Sequence, residues 1–167
     1  MSDIKKVCFV GAGTMGCFNS LLAAMAGYEA VLYDISAETL GNVPEQHQQM
    51  ATMMMAHGLC TPERFAEAQT RIHVVDNLKP IAAGIDLVSE SIAESLEAKR
   101  SLHASLEAIF PQTTIITTNT SALLVSDIES ALTRGEQFAA LHSHLGSPLI
   151  DIVAGPRTSP EVTERLE

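Results

Sequence analysis

Gly11-Ala12-Gly13-Thr14-Met15-Gly16 lies between a short apolar run, Val7 to Val10, and a segment, Met15 to Ala26, that reads as a helix. This order constrains the fold more than any other feature of the chain. An apolar run containing β-branched residues and ended by glycine has the character of a strand buried on both faces. The helical segment carries Leu21, Leu22, Met25 and Ala26 on one stripe, and Gly27 ends it. In such a unit the first glycine makes the tight turn, the second lets backbone approach a pyrophosphate, and the third lets helix and strand pack closely. Unpaired N–H groups at the helix start then face the anion. Gly11, Gly13 and Gly16, with Thr14 and Met15 between them, are candidate cofactor-binding residues.

A second strand, Glu29 to Tyr33, ends at Asp34. A carboxylate there accepts hydrogen bonds from both ribose hydroxyls of an adenosine and repels a 2′-phosphate, which favours NAD over NADP. Further strand candidates are Arg71 to Val75, Ile85 to Ser89, Thr113 to Thr117, Gln137 to His142 and Leu149 to Val153. They alternate with helical segments at Pro44 to His57, Pro62 to Gln69 and Ser95 to Phe110, and with a helix beginning near Val125. Ser159 opens a last helix with Pro160 at its first position. The pattern predicts the α/β class: a Rossmann-type, doubly wound, mainly parallel sheet with helices on both faces. Residues 1–167 are read as a single NAD-binding domain, and the chain's end inside a helix suggests a longer architecture.

Composition narrows the partners. With 10 Lys+Arg against 20 Asp+Glu the formal charge is −10, and the basic residues are scattered, so neither nucleic acid nor an anionic membrane is an expected partner. Cys8, Cys17 and Cys60 are too few and too irregular for a disulfide framework and fit a reducing, cytoplasmic setting. Lys5-Lys6, the apolar stretch and Ala24-Met25-Ala26 imitate a secretory signal, but Gly11, Gly13, Gly16, Asn19 and Ser20 interrupt its interior.

The segments Lys6 to Gly16, Asp86 to Glu94 with Lys99, Thr118 to Ser121 and Phe138 to His142 together resemble the NAD-binding domain of the L-3-hydroxyacyl-CoA dehydrogenase family, over nearly the whole chain. The resemblance implies an NAD-dependent oxidoreductase of fatty-acid metabolism that moves hydride between NAD and a 3-hydroxyacyl substrate. It places Gly11, Gly13, Gly16, Asp34, Glu94 and Lys99 at the cofactor, with Asn119 of the Thr118 to Ser121 segment. It makes Ser121 the hydrogen-bond donor to the reacting oxygen and His142 the general base, a role suited to a side chain that titrates near neutral pH. Without the resemblance, Ser121 reads as a turn or helix cap, His142 as a packed histidine, and Glu94 with Lys99 as a solvated helix start.

The chain also departs from the family's pattern. The family's histidine works with a glutamate at the position of Ala154, and a family asparagine is replaced by Leu145. Asp151 is the nearest carboxylate, but three residues along a strand reverses the facing, so it is expected to point away from where Ala154 points. Between Val7 and Glu63 there is no Lys or Arg to meet the phosphates of CoA, which leaves a carrier-bound group or a small hydroxy acid open as substrate. The family's C-terminal helical domain, which completes the substrate pocket and most of the homodimer interface, is expected to be absent from residues 1–167. These departures keep open a second reading, a non-catalytic NAD(H)-binding module or inactive fragment. His142 and His144 have a spacing that metal sites use, but no third ligand is evident and no metal is expected. Met53-Met54-Met55 reads as helix packing.

Overall fold

The computed structural model describes residues 4–147 and 149–167. Seven strands form one sheet. In chain order they are β1 (Lys6–Val10), β2 (Glu29–Tyr33), β3 (Ile72–Val75), β4 (Leu87–Glu90), β5 (Ile115–Thr118), β6 (Phe138–Ser143) and β7 (Ile150–Ala154). Their order across the sheet is β3-β2-β1-β4-β5-β6-β7, every pair parallel except β6 with β7. Each expected strand is present, with bounds moved by at most two residues and those of β2 unchanged.

The helices are α1 (Thr14–Met25), α2 (Ala37–Gly41), α3 (Val43–Ala56), α4 (Pro62–Gln69), α5 (Leu96–Ile109), α6 (Val125–Glu129) and α7 (Pro160–Leu166). Of these, α2 was not expected. Ser36 starts it by accepting the Thr39 N–H, a local cap that overrides the absence of apolar periodicity in so short a segment. Thr61, Ser95 and Ser159 cap α4, α5 and α7 in the same way. In contrast, α1 begins at Gly13 with no side-chain cap and no acidic residue in its first turn, so its leading N–H groups remain available.

Alternation along β1 divides the core between the two sheet faces. Val7 and Phe9 pack with Leu32, Ile115 and the inner sides of α1 and α4, while Cys8 and Val10 pack with Val31, Val88, Ile116 and α5. Met54 and Met55 of α3 pack against the first of these groups, whereas Met53 is exposed. The sheet's strand order turns between β1 and β4, whose following helices α1 and α5 cover opposite faces, the point at which ligands bind in the crevice of open parallel sheets.

Closure of β1 onto α1 depends on two glycines. Gly11 has φ 101°, and a Cβ there would lie 2.7 Å from the Ser91 carbonyl oxygen; a Cβ on Gly16 would lie 1.8 Å from the Gly11 carbonyl oxygen. Gly13 differs: a Cβ on it meets nothing within 4 Å, because it faces the open side where a ligand approaches. Gly16→Ala should therefore destabilise the chain by at least the about 1–3 kcal/mol typical of over-packing, while Gly13→Ala should leave the urea midpoint nearly unchanged. Equal losses in the two variants would contradict this packing.

Candidate functional site

The candidate residues come from loops at one edge of the sheet. The glycine loop follows β1, Asp34 follows β2, Glu94 follows β4, Asn119 and Ser121 follow β5, and His142 stands near the end of β6. The Gly11 N–H donates to the Tyr33 carbonyl, which joins the loop to the end of β2. Asp34 accepts the Ala12 N–H at 2.8 Å on one carboxylate oxygen and the Ser36 N–H at 2.9 Å on the other. Each oxygen keeps acceptor capacity for a further donor. Beside it, Ile35 is 92% exposed, and a cleft lined by Leu40, Val75, Asp76 and Ile81 opens where β2 and β3 end in register. Sequence reasoning passed over Ile35, since a single apolar residue after a strand carries no pattern.

Behind the crevice lies a buried charge network centred on Glu90, the last residue of β4. Its carboxylate takes the Lys99 ammonium at 2.7 Å, the His103 ring at 3.0 Å, the Thr118 hydroxyl at 2.7 Å and the Ile92 N–H at 2.6 Å. Burial alone would raise this carboxyl. The hydrogen bond and charge of His103, together with Lys99, overcome it and hold the group at about 2. Lys99 is fully buried, so it is not a solvated lysine: its ammonium pairs with Glu90, with Glu94 at 3.5 Å. Glu90 lay inside the Asp86 to Glu94 segment but was not singled out, because one acid among apolar residues does not announce its partners.

Glu94 carries this network to the site. One carboxylate oxygen accepts the Thr120 hydroxyl and the N–H groups of Ser121 and Ala122, at 2.9 and 3.0 Å. Its burial favours the neutral acid, but these donors and Lys99 hold the carboxyl below the usual range. The backbone that presents Ser121 is thus fixed. Asn119 is also committed locally: its side chain donates to Ser91 Oγ and accepts the Ser143 N–H, tying the ends of β4 and β6 together.

Ser121 Oγ lies 3.0 Å from His142 Nε2, and the opposite ring nitrogen, Nδ1, lies 3.5 Å from Asp151 Oδ2. Asp151 does point away from Ala154, as expected, but it is Asp151 and not Ala154 that shares the face of His142. Strand pairing, not position along β7 alone, decides what it faces: β7 runs antiparallel to β6, His142 is directly opposite Asp151, and Ala154 is opposite Ala139. Directly opposed residues share a sheet face, so the carboxylate and the imidazole meet, while Ala154 belongs to the other face. His144 also reaches Asp151 Oδ2, at 2.9 Å, and its ring stacks edge-on to His142 at 4.4 Å. The hydrogen bond from His144, then that from His142, keep the Asp151 carboxyl below its ordinary range. Leu145, in place of the family's asparagine, is exposed.

The profile of the 3-hydroxyacyl-CoA dehydrogenase NAD-binding domain matches residues 6–167. The chain belongs to this family. It is 34% identical over 169 residues to the 3-hydroxyadipyl-CoA dehydrogenase of Escherichia coli K12, covering 99% of this chain and 35% of that protein. A structure of 3-hydroxybutyryl-CoA dehydrogenase from the same organism superposes with a TM-score of 0.89 at 32% identity, over 98% of this chain and 35% of that one. A diketoreductase structure, described as acting on dicarbonyl compounds, superposes with a TM-score of 0.91 at 28% identity, over 99% of this chain and 60% of that one. The chain thus spans between about a third and three-fifths of the length of these relatives.

NAD is the cofactor of this family's domain, and the residues present fit it: an uncapped helix start behind Gly13, open space over that glycine, and an acceptor carboxylate at Asp34. Among the described residues no helix is long and apolar enough to cross a membrane. The buried network has its own consequence. The Glu90 carboxyl is lower when folded than the unfolded value of about 4.3, so its stabilisation is present above that value and is lost as pH falls toward about 2. Urea midpoints measured from pH 6 downward should fall steeply below about pH 4.5 in the native chain. In Glu90→Gln the midpoint should start lower and fall less steeply; parallel curves would contradict the role given to Glu90.

Proposed function

We propose that this domain supplies the cofactor half and the proton-transfer centre of an NAD-dependent dehydrogenase acting on 3-hydroxyacyl groups or related hydroxy acids. The observation that carries the reading is the alignment of Ser121, His142 and Asp151 at the same sheet edge as the glycine loop and Asp34. Bound NAD supplies the hydride acceptor. Asp34 holds the adenosine ribose, the start of α1 faces the pyrophosphate, and Glu94 fixes the turn that presents Ser121. Lys99 acts through Glu94 and Glu90, and Asn119 braces the strand ends.

In the oxidative direction His142 Nε2 takes the proton of the substrate hydroxyl while the Ser121 hydroxyl donates a hydrogen bond to the same oxygen. Asp151 faces Nδ1, keeps the ring oriented and stabilises the imidazolium that forms. This support answers Ala154, one of the grounds for the non-catalytic reading beside Leu145. In reduction the same groups act in reverse, with His142 returning the proton.

The substrate is read as a hydroxyacyl group, and the carrier is the open choice. No Lys or Arg lies between Val7 and Glu63 to meet CoA phosphates, and a structural relative is described as acting on dicarbonyl compounds. A reducing compartment such as the cytoplasm suits the thiols: burial pushes Cys8 up to about 12 and Cys17 to about 11, with Asp34 adding to the latter, so both stay protonated and unpaired.

NADH formation from a 3-hydroxyacyl-CoA and from the free 3-hydroxy acid tests the reading. His142→Gln should lower the rate about 100- to 10,000-fold, the range for loss of a general base, with NADH affinity retained. Turnover unchanged in His142→Gln would overturn it.

A further inference from the structure

His144 has no part in the proton transfer just described, yet it stands against Asp151. His142 lies near the end of β6 and His144 directly follows that strand's last residue, Ser143; Asp151, opposed to His142 on β7, reaches both rings. We propose that His142, His144 and Asp151 form a binding site for a first-row divalent transition ion, zinc foremost, and that occupancy blocks proton transfer at His142. The blocking half rests on the reading of His142 as the base; the binding half stands without it.

The donor set and the spacing support the site. Ligand atoms about 2.0–2.2 Å from one tetrahedral zinc stand roughly 3.3 Å from one another. Asp151 Oδ2 is 2.9 Å from His144 Nε2 and 3.5 Å from His142 Nδ1, and the three ligand atoms lie within 4.8 Å of one another. A small rotation of exposed side chains brings them around one ion. Two imidazoles and one carboxylate suit zinc, copper or nickel; magnesium and calcium prefer all-oxygen shells. His144 and Asp151 are exposed, which leaves the outer side of the ion to water. The paired strands hold His142 and Asp151 at fixed backbone positions, with His144 one residue past the pairing, so little ordering is needed on binding.

Blocking follows from the valence of the ring. A metal at Nδ1 uses that nitrogen's lone pair, so the neutral imidazole keeps its proton on Nε2, the atom facing Ser121. No lone pair is then left at Nε2 to take a proton from a substrate hydroxyl.

Calorimetric titration of the untagged, metal-free protein with zinc chloride, without NAD or substrate, tests the site. One equivalent should bind. His144→Ala and the isosteric Asp151→Asn should each weaken binding by more than about tenfold, since loss of an outer-shell partner alone costs about 10–100-fold. His73→Ala, at the opposite sheet edge where its ring meets Glu29, should leave it unchanged, and magnesium should give no heat. Absence of stoichiometric zinc binding, binding that survives either site substitution, or binding lost with His73→Ala would overturn the site. Zinc that binds while NADH formation continues unchanged would overturn the blocking half alone.

Discussion

The site depends on a buried carboxylate. Glu90 ends β4 beneath the crevice and gathers Lys99 and His103 from α5, Thr118 from β5 and the Ile92 backbone around one charge. Removing such a charge from water is costly, and only close partners make it tolerable. The arrangement therefore accepts few alternatives: shifting α5 or β5 would strand either an anion or an ammonium in the interior. From Lys99 the constraint passes to Glu94, and from Glu94 to the backbone N–H groups of Ser121 and Ala122. The backbone of an exposed serine is thereby tied to the buried network.

Against this rigid side of the crevice stands a simpler one. Where β1 enters α1, sterics do the work: Gly11 and Gly16 approach backbone so closely that no side chain fits, and Gly13 leaves a face open. The helix start carries no side-chain cap, unlike α4, α5 and α7, so its N–H groups are left for a ligand. One half of the crevice is thus shaped for an anion by what is absent, and the other is shaped by charges that partner one another.

Features set by local chemistry were legible in the sequence. The glycine loop, the acid after the second strand and the alternation of strands with helices each follow from short-range rules, and they lead to the sheet that forms. Features set by pairing between distant segments were not. Alternation along β7 puts Asp151 and Ala154 on opposite faces, but which of the two meets His142 follows only from the antiparallel register of β7 on β6. Lys99 reads as a solvated helix residue because its partner, Glu90, lies nine residues earlier on a different element. The helix after Ser36 was hidden for a smaller reason, since five residues show no periodicity and only the cap betrays it.

On the proposed function, the glycine loop and Asp34 form a working NAD(H) site on which the chemistry at Ser121 and His142 depends. Calorimetric titration of the purified chain with NADH and, separately, NADPH tests it most directly. Saturable NADH binding with clear preference over NADPH is the expected result, because a carboxylate in the position of Asp34 would accept ribose hydroxyls and repel a 2′-phosphate. Binding of neither nucleotide, or equal binding of both, would contradict the claim.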